Sequence, residues 1–185
     1  MELIILAIIL SIIRKGNINN FRQIKIHWIW GIFVYVLLSM LISISSFQSR
    51  FSIHTLIIME WLGYLLLTIV IIRNYKLPGG KIIVAGACLN LIAMGFNGGL
   101  MPVSEGALLT IGKEDIISLL KQGLSITHVL LNSNSKMSFL GDIIAIPRPW
   151  IYPRVISIGD IFISVGVAYM IWSIMKKKEE YNEKI

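Results

Sequence analysis

Two aspartates, Asp142 and Asp160, stand 18 residues apart in the stretch LGDIIAIPRPWIYPRVISIGDIFISVG, each preceded by glycine and followed by isoleucine. Two carboxylates held together in a low-dielectric place cannot both ionise easily. One keeps a proton, so one member can activate water while the other donates to a leaving group. That is aspartic-hydrolase chemistry, and it requires neither metal nor cofactor. The apolar run that carries Asp160 extends over Val155–Met175, which sets this carboxylate about five residues inside a helix. An ionisable group in hydrocarbon costs at least about 2.5–3.5 kcal/mol on insertion scales, so such a residue marks a candidate site. The three prolines of IPRPWIYP bias the connecting segment toward extended backbone and would let the chain turn Asp142 back toward Asp160.

Other polar residues fall at a similar depth. Glu60 lies about seven residues inside its apolar run, and Asn97 closes the next one. Gly86, Asn90, Ala93 and Asn97 share one helical face, as do Ser157, Asp160, Ser164 and Ala168. Small residues allow close helix approach, and amides or hydroxyls bond across the contact. For Asn90 and Ser157 the same stripe is equally a structural seam. In NGGLMPV, Gly98 and Gly99 free the backbone at the helix end, either as an ordinary terminator or to offer N–H groups to a carbonyl or phosphate. His128, in the following loop, is the one histidine placed to reach this group of residues. The candidate set is therefore Asp142 and Asp160 as catalytic pair, with Glu60, Asn90, Asn97, Gly98, Gly99, Ser157 and His128 binding or orienting.

The elements that must position these residues are membrane helices. The chain is 56% hydrophobic and only 15% charged over 185 residues, which is not a soluble composition. Crossing about 30 Å of hydrocarbon takes roughly 20 apolar residues as a helix. The runs His27–Ser46, Ile53–Ile72, Gly80–Phe96 and Val155–Met175 meet or approach this, and Leu3–Ile13 is a shorter first span. The expected fold is all-α: a single polytopic membrane domain, residues 1–185, of about five transmembrane helices. Residues 98–154 form an extracytoplasmic loop between the fourth and fifth. Within that loop GKEDIISLLKQG reads as a short amphipathic helix lying on the membrane surface, and Trp150 and Tyr152 as headgroup anchors.

The net charge of +7 does not point to nucleic acid, because the basic residues gather at the ends of apolar runs. With the C-terminus cytoplasmic, segments 14–26, 73–81 and 176–184 hold eleven lysines and arginines and the outer segments six, as the positive-inside rule requires. The single Cys88 allows no internal disulfide.

The quoted stretch resembles the C-terminal part of lipoprotein signal peptidase (signal peptidase II). That family has one aspartate in an extended stretch and a second about 19 residues later, opening the last helix. Asp142 and Asp160 match these catalytic positions, and AGACLNLI is similar to the family's GGALGNLID, with Asn90 on the motif asparagine. The acidic and basic pair after that asparagine is replaced here by Ala93 and Met94. Over its whole length the chain resembles a bacterial multi-pass membrane family known only as a domain of unknown function, through LPGG, NGGLMPV, the loop histidine, LGDIIAIP and SIGDIFISVG. These likenesses imply a protein of the bacterial cytoplasmic membrane in contact with lipid. The leading expectation is an aspartic-type hydrolase acting at the outer leaflet on a membrane-anchored peptide or lipid, with no cofactor. The rival expectations are a non-enzymatic binding or assembly module with a polar helix seam, and a metal-dependent membrane enzyme using His128 with the acids.

Overall fold

The computed structural model describes residues 2–150 and 152–176, and these are mostly helical. The C-terminal basic residues Lys177, Lys178 and Lys184 lie outside the described residues. Five apolar helices form the body: α1 (Glu2–Ile13), α2 (Ile29–Ile42), α4 (Ile53–Arg73), α5 (Gly80–Phe96) and α8 (Ile158–Lys176), with a single turn, α3 (Ser45–Gln48), between α2 and α4. They pack in the order α1, α8, α5, α4, α2, so α8 is wedged between α1 and α5. Ala7, Ile171 and Met175 fasten α1 to α8.

Two of these helices, α4 and α8, are long and apolar enough to cross a membrane; α1, α2 and α5 are apolar but shorter. At about 1.5 Å per residue, the 21 residues of α4 rise roughly 31 Å, while the 14 of α2 rise only about 21 Å. The run His27–Ser46 is thus trimmed at both ends. His27 instead exchanges backbone hydrogen bonds with the Asn74 side chain, and Ile44 lies in an extended conformation.

The expectation of an all-α chain fails between α5 and α8. That connection folds as a small mixed unit of α6 (Glu105–Thr110), α7 (Glu114–Lys121) and four three-residue strands. Strands β1 (Met101–Val103) and β2 (His128–Leu130) pair in parallel, and β3 (Ile144–Ile146) and β4 (Arg154–Ile156) pair antiparallel. The proline stretch is the turn of this second hairpin, with Trp150 and Tyr152 exposed at its tip. Strand β4 also claims the first residues of the expected last span, so α8 begins at Ile158.

Helix α7 is amphipathic, yet it does not present its whole apolar side outward. Ile117 and Leu120 are buried with Val103 and Leu108, covered by Leu130 and Val155, while Ile116 and Leu119 stay exposed. The apolar residues split between two faces, and the one holding Ile117 and Leu120 supplies the core of the unit. A second core, Ala93, Met94, Met101 and Leu140 with Trp61 and Tyr64 against it, joins the unit to the end of α5 and the middle of α4.

Candidate functional site

Asp160 sits in the first turn of α8, not deep within it. Ser157 and Asp160 form a reciprocal capping box: the Asp160 N–H donates to Ser157 Oγ at 3.0 Å, and the Ser157 N–H donates to Asp160 Oδ2 at 3.1 Å. Two backbone donors of a helix start are satisfied in this way. Asn90 of α5 closes the arrangement from the neighbouring helix. Its Nδ2 donates to Asp160 Oδ1 at 2.8 Å, and its Oδ1 accepts from the Ser157 hydroxyl at 2.8 Å. One amide thus reads both members of the box, and both of its ends are used. The sequence signal for this, Ser-x-x-Asp at a helix entrance, is present at residues 157–160.

Asp142 is held by backbone. Its N–H donates to the Pro102 carbonyl and its own carbonyl accepts from the Ser104 N–H, which lays residue 142 alongside Val103 of β1. Strand β2 flanks the same strand and brings His128 beside Met101. The two side chains meet: His128 Nε2 lies 3.2 Å from Asp142 Oδ2. The other face of the imidazole is engaged too, since His128 Nδ1 shares a hydrogen bond of 2.8 Å with Thr127 Oγ1. Asp142 is 8% exposed, and its second oxygen, Oδ1, is buried without a hydrogen-bond partner. A buried polar atom of this kind costs about 1–3 kcal/mol, so its presence asks for an explanation.

Both aspartates line one cavity of about 220 Å³ together with Glu60, Asn90, His128 and Thr127, walled by Tyr35, Tyr64, Met94 and Met101. Glu60 is buried in α4, where Tyr35 and Ser39 of α2 both donate to its Oε1, at 3.4 and 3.2 Å. Asp142, Asp160, Glu60, Asn90 and His128 are therefore brought together, with Ser157 directly behind Asp160.

Asn97, Gly98 and Gly99 do not line this cavity. Asn97 is spent on structure, donating to the Ala93 and Lys136 carbonyls and accepting from the Lys136 N–H. Gly98 and Gly99 take φ of +70° and +89°, and the Gly99 N–H caps α5 through the Met94 carbonyl. Of the two readings of this glycine pair, the geometry is that of the helix terminator. Sequence reasoning passed over Tyr35, Tyr64 and Thr127. Tyr64 was accessible, because it follows Glu60 by four residues and shares its helical face.

Burial pushes the Asp142 carboxyl above the ordinary carboxylate range; the His128 contact opposes this, and the charge of Asp160 adds to it. The folded protein therefore holds this proton more tightly than the unfolded chain does. The resulting stabilisation is complete below the unfolded value of 3.8 and is lost as pH rises through the folded one. Asp142→Asn, which cannot ionise, is expected to flatten the decline of melting temperature with pH in that window; an unchanged slope in thermal scans from pH 4 to 7 would refute this origin. Among the described residues no three histidine, cysteine or carboxylate side chains converge closely enough to hold a metal ion.

A protein of Thermotoga maritima, described as an uncharacterized protein, is 36% identical over 106 residues. That match takes in 57% of this chain and 58% of the relative, so the likeness spans little more than half of either. No solved structure matches the chain. A family model described as a family of unknown function, DUF5317, matches residues 23–172, through α2, the cavity and nearly all of α8, and the chain belongs to that family.

Proposed function

We propose that this chain is a five-span protein of the bacterial cytoplasmic membrane, with the cavity facing the outer leaflet and the C-terminus in the cytoplasm. Exposed apolar side chains on the helices support this reading: Trp30, Phe33, Leu37 and Met40 on α2, Ile9 and Leu10 on α1, and Ile58 and Leu62 on α4. Such continuous apolar surface has no place in water. Charge supports it as well. Arg14, Lys15 and Lys176 border one hollow, and Lys25, Arg73 and Lys76 another, at the ends of the helices away from the acidic cavity. That polarity is the one expected of a cytoplasmic face. The short α1 and α2 would be accommodated by local thinning of the bilayer.

Within that frame the cavity is a general acid–base site for hydrolysis of a membrane-anchored peptide or lipid ester. Asp160 takes a proton from water as the water oxygen attacks the substrate carbonyl, and Asp142 supplies its proton to the carbonyl oxygen. As the tetrahedral intermediate collapses, Asp142 takes that proton back, the bond to the leaving group breaks, and Asp160 passes the water's proton to the leaving group. His128 fixes Asp142, and Asn90 with Ser157 fixes Asp160. The observation that carries this is that Asp142 and Asp160 line one cavity while differing in environment. Burial favours the protonated form of Asp142, whereas both oxygens of Asp160 accept hydrogen bonds, from Asn90 and from the Ser157 N–H.

The test is turnover. Purified protein in proteoliposomes is offered lipid-anchored, internally quenched peptides and a panel of lipid esters, with and without EDTA. Cleavage that ignores the chelator is the expected result. Absence of cleavage across the panel overturns the hydrolase, and loss of cleavage on chelation transfers the chemistry to a metal. One observation favours a second, non-enzymatic reading: the capping box and the Asn90 clamp already account for Asp160 without catalysis. In that reading the cavity binds and does not react.

A further inference from the structure

At the end of α1 and α8 away from the acidic cavity, Arg14, Lys15 and Lys176 border a hollow with Gly16, Trp172 and Met175. It encloses about 430 Å³, within the roughly 300–1,000 Å³ of small-molecule sites. Three cations line it and no carboxylate does, and among the described residues none of the three forms an ion pair. Like charges gathered around one hollow repel, and an anion between them removes that cost. Basic residues at helix ends also serve simply to orient a membrane helix, so charge alone decides nothing.

The helix ends do not need these cations. Lysine and arginine near a helix C-terminus commonly serve its last carbonyls, and here other donors do so. The Leu10, Ser11 and Ile12 carbonyls of α1 accept from the backbone N–H groups of Arg14, Gly16 and Lys15 respectively. Across the contact, the Met175 carbonyl accepts from the Asn17 N–H at 3.0 Å, and the Ile174 carbonyl from Asn20 Nδ2 at 3.0 Å. Segment 14–20 thus serves both helix ends. The Arg14 and Lys15 side chains are left without a hydrogen bond among the described residues. The wall of the hollow is firm, since a Cβ at Gly16 would lie 2.8 Å from the Ser11 carbonyl oxygen and 3.0 Å from Met175 Cβ. Lys176 Nζ is held 5.1 Å from the centre of the Trp172 ring. Just before Arg14, Ile9, Ile12 and Ile13 of α1 offer exposed apolar surface.

We propose that this hollow binds a phosphate anion, with the Arg14 guanidinium and the Lys15 and Lys176 ammonium groups as its donors. The phosphate is either the phosphodiester of an anionic lipid, its chains lying along the exposed isoleucines of α1, or a free phosphate ion. Basic hollows between helices at a cytoplasmic membrane face hold lipid headgroups by this chemistry. The site lies at the other end of the helical body from the acid–base cavity and uses none of its residues. It goes beyond the hydrolase reading, and the two can fail separately.

The experiment uses full-length protein in a non-ionic detergent at pH 7. Fluorescence anisotropy follows acyl-labelled phosphatidylglycerol and, as the phosphate-free control, diacylglycerol with the same chains; calorimetry follows inorganic phosphate. Binding of phosphatidylglycerol at least tenfold tighter than diacylglycerol identifies the lipid as occupant. Saturable binding of inorganic phosphate without that preference identifies the free ion. Whichever probe binds is expected to weaken at least tenfold in R14Q/K176Q and less than twofold in R73Q/K76Q, which removes the same charge from the other basic hollow. If phosphatidylglycerol and diacylglycerol bind alike and inorganic phosphate does not bind, the proposal is overturned, and this result on the wild-type chain stands even if a variant fails to fold. Undiminished binding by folded R14Q/K176Q overturns it too, as does an equal loss in both double variants, which would reveal diffuse charge in place of a site.

Discussion

Asp142→Asn is expected to lower turnover by about a thousandfold while leaving the protein folded. The expected size comes from the worth of a positioned general acid, about 10²–10⁴ in rate, and from Asp142 being the cavity carboxyl whose protonated form burial favours. Three features make the substitution clean. The backbone of residue 142 is pinned to Pro102 and Ser104 through main-chain atoms that a side-chain change leaves alone. Asparagine matches aspartate in shape, so the cavity keeps its volume. Its oxygen or nitrogen still faces His128, so the imidazole keeps a neighbour. What disappears is the transferable proton. A structural role for Asp142 predicts a different pattern, with stability falling and any activity falling in proportion to it. Catalytic and structural loss are separated by measuring melting temperature beside turnover, at one pH and in one lipid. Should the asparagine variant cleave as fast as the parent, the acid–base mechanism is wrong, and the cavity is a binding site.

The helical body was legible in the sequence because length and hydrophobicity alone mark it. The run Gly80–Phe96 and the helix α5 coincide, and Ile53–Ile72 differs from α4 by one residue. That Asp160, Asn90 and Glu60 share a cavity was readable too, since polar residues at one depth of a bundle have few places to go; Asp142 and His128 come from the loop, where the sequence permitted the meeting without fixing it. The 57-residue connection was not. Its strands are three residues long, below what alternation of polar and apolar residues reveals, and the partner of β1 lies 27 residues along the chain, from Met101 to His128. Missing β4 shifted the helix start by three residues, and that shift changed the meaning of Asp160. Counted from Val155 it looked like a carboxylate stranded in hydrocarbon; counted from Ile158 it is the third residue of a capped helix. The Asn90 stripe was read correctly as a helix contact, but the contact is with a helix entrance, and its partners are two side chains that also bond each other. Asn97 belongs to the same stripe and goes elsewhere, because α5 ends at Phe96 and the amide is drawn to Lys136.

The contact between α5 and α8 carries the largest stability prediction. Gly159→Ala is expected to destabilise the protein by about 2–3 kcal/mol, near the upper end of overpacking costs for one added methyl. A Cβ at 159 would overlap the Asn90 amide oxygen and lie 2.7 Å from the Gly86 carbonyl. The first obstacle is a side chain fixed at both ends, and the second is backbone, so neither yields cheaply. Gly86 is tight in the reciprocal sense, since its Cβ would overlap the Gly159 carbonyl and come within 2.9 Å of the Ile163 N. In the membrane setting proposed above, steric cost outweighs hydrogen bonding here, because polar contacts between helices in a bilayer average only about 0.6 kcal/mol each. Asn90→Ala is accordingly expected to cost less than Gly159→Ala. The pair should also be non-additive: with the amide gone, part of the overlap at 159 is relieved, and an interaction energy of about 1 kcal/mol in the double variant is expected. The Gly86 carbonyl remains, which keeps the double variant below wild type. Gly106→Ala supplies the contrast, as the nearest atom to a Cβ there is Ser104 Oγ at 3.8 Å and the residue already lies in a helix. It is expected to be neutral or stabilising by up to about 1 kcal/mol. Unfolding in mild detergent followed by tryptophan fluorescence measures all four variants. If Gly159→Ala proves as stable as Gly106→Ala, α5 and α8 do not approach as described, and Asn90 then has no fixed hold on Asp160.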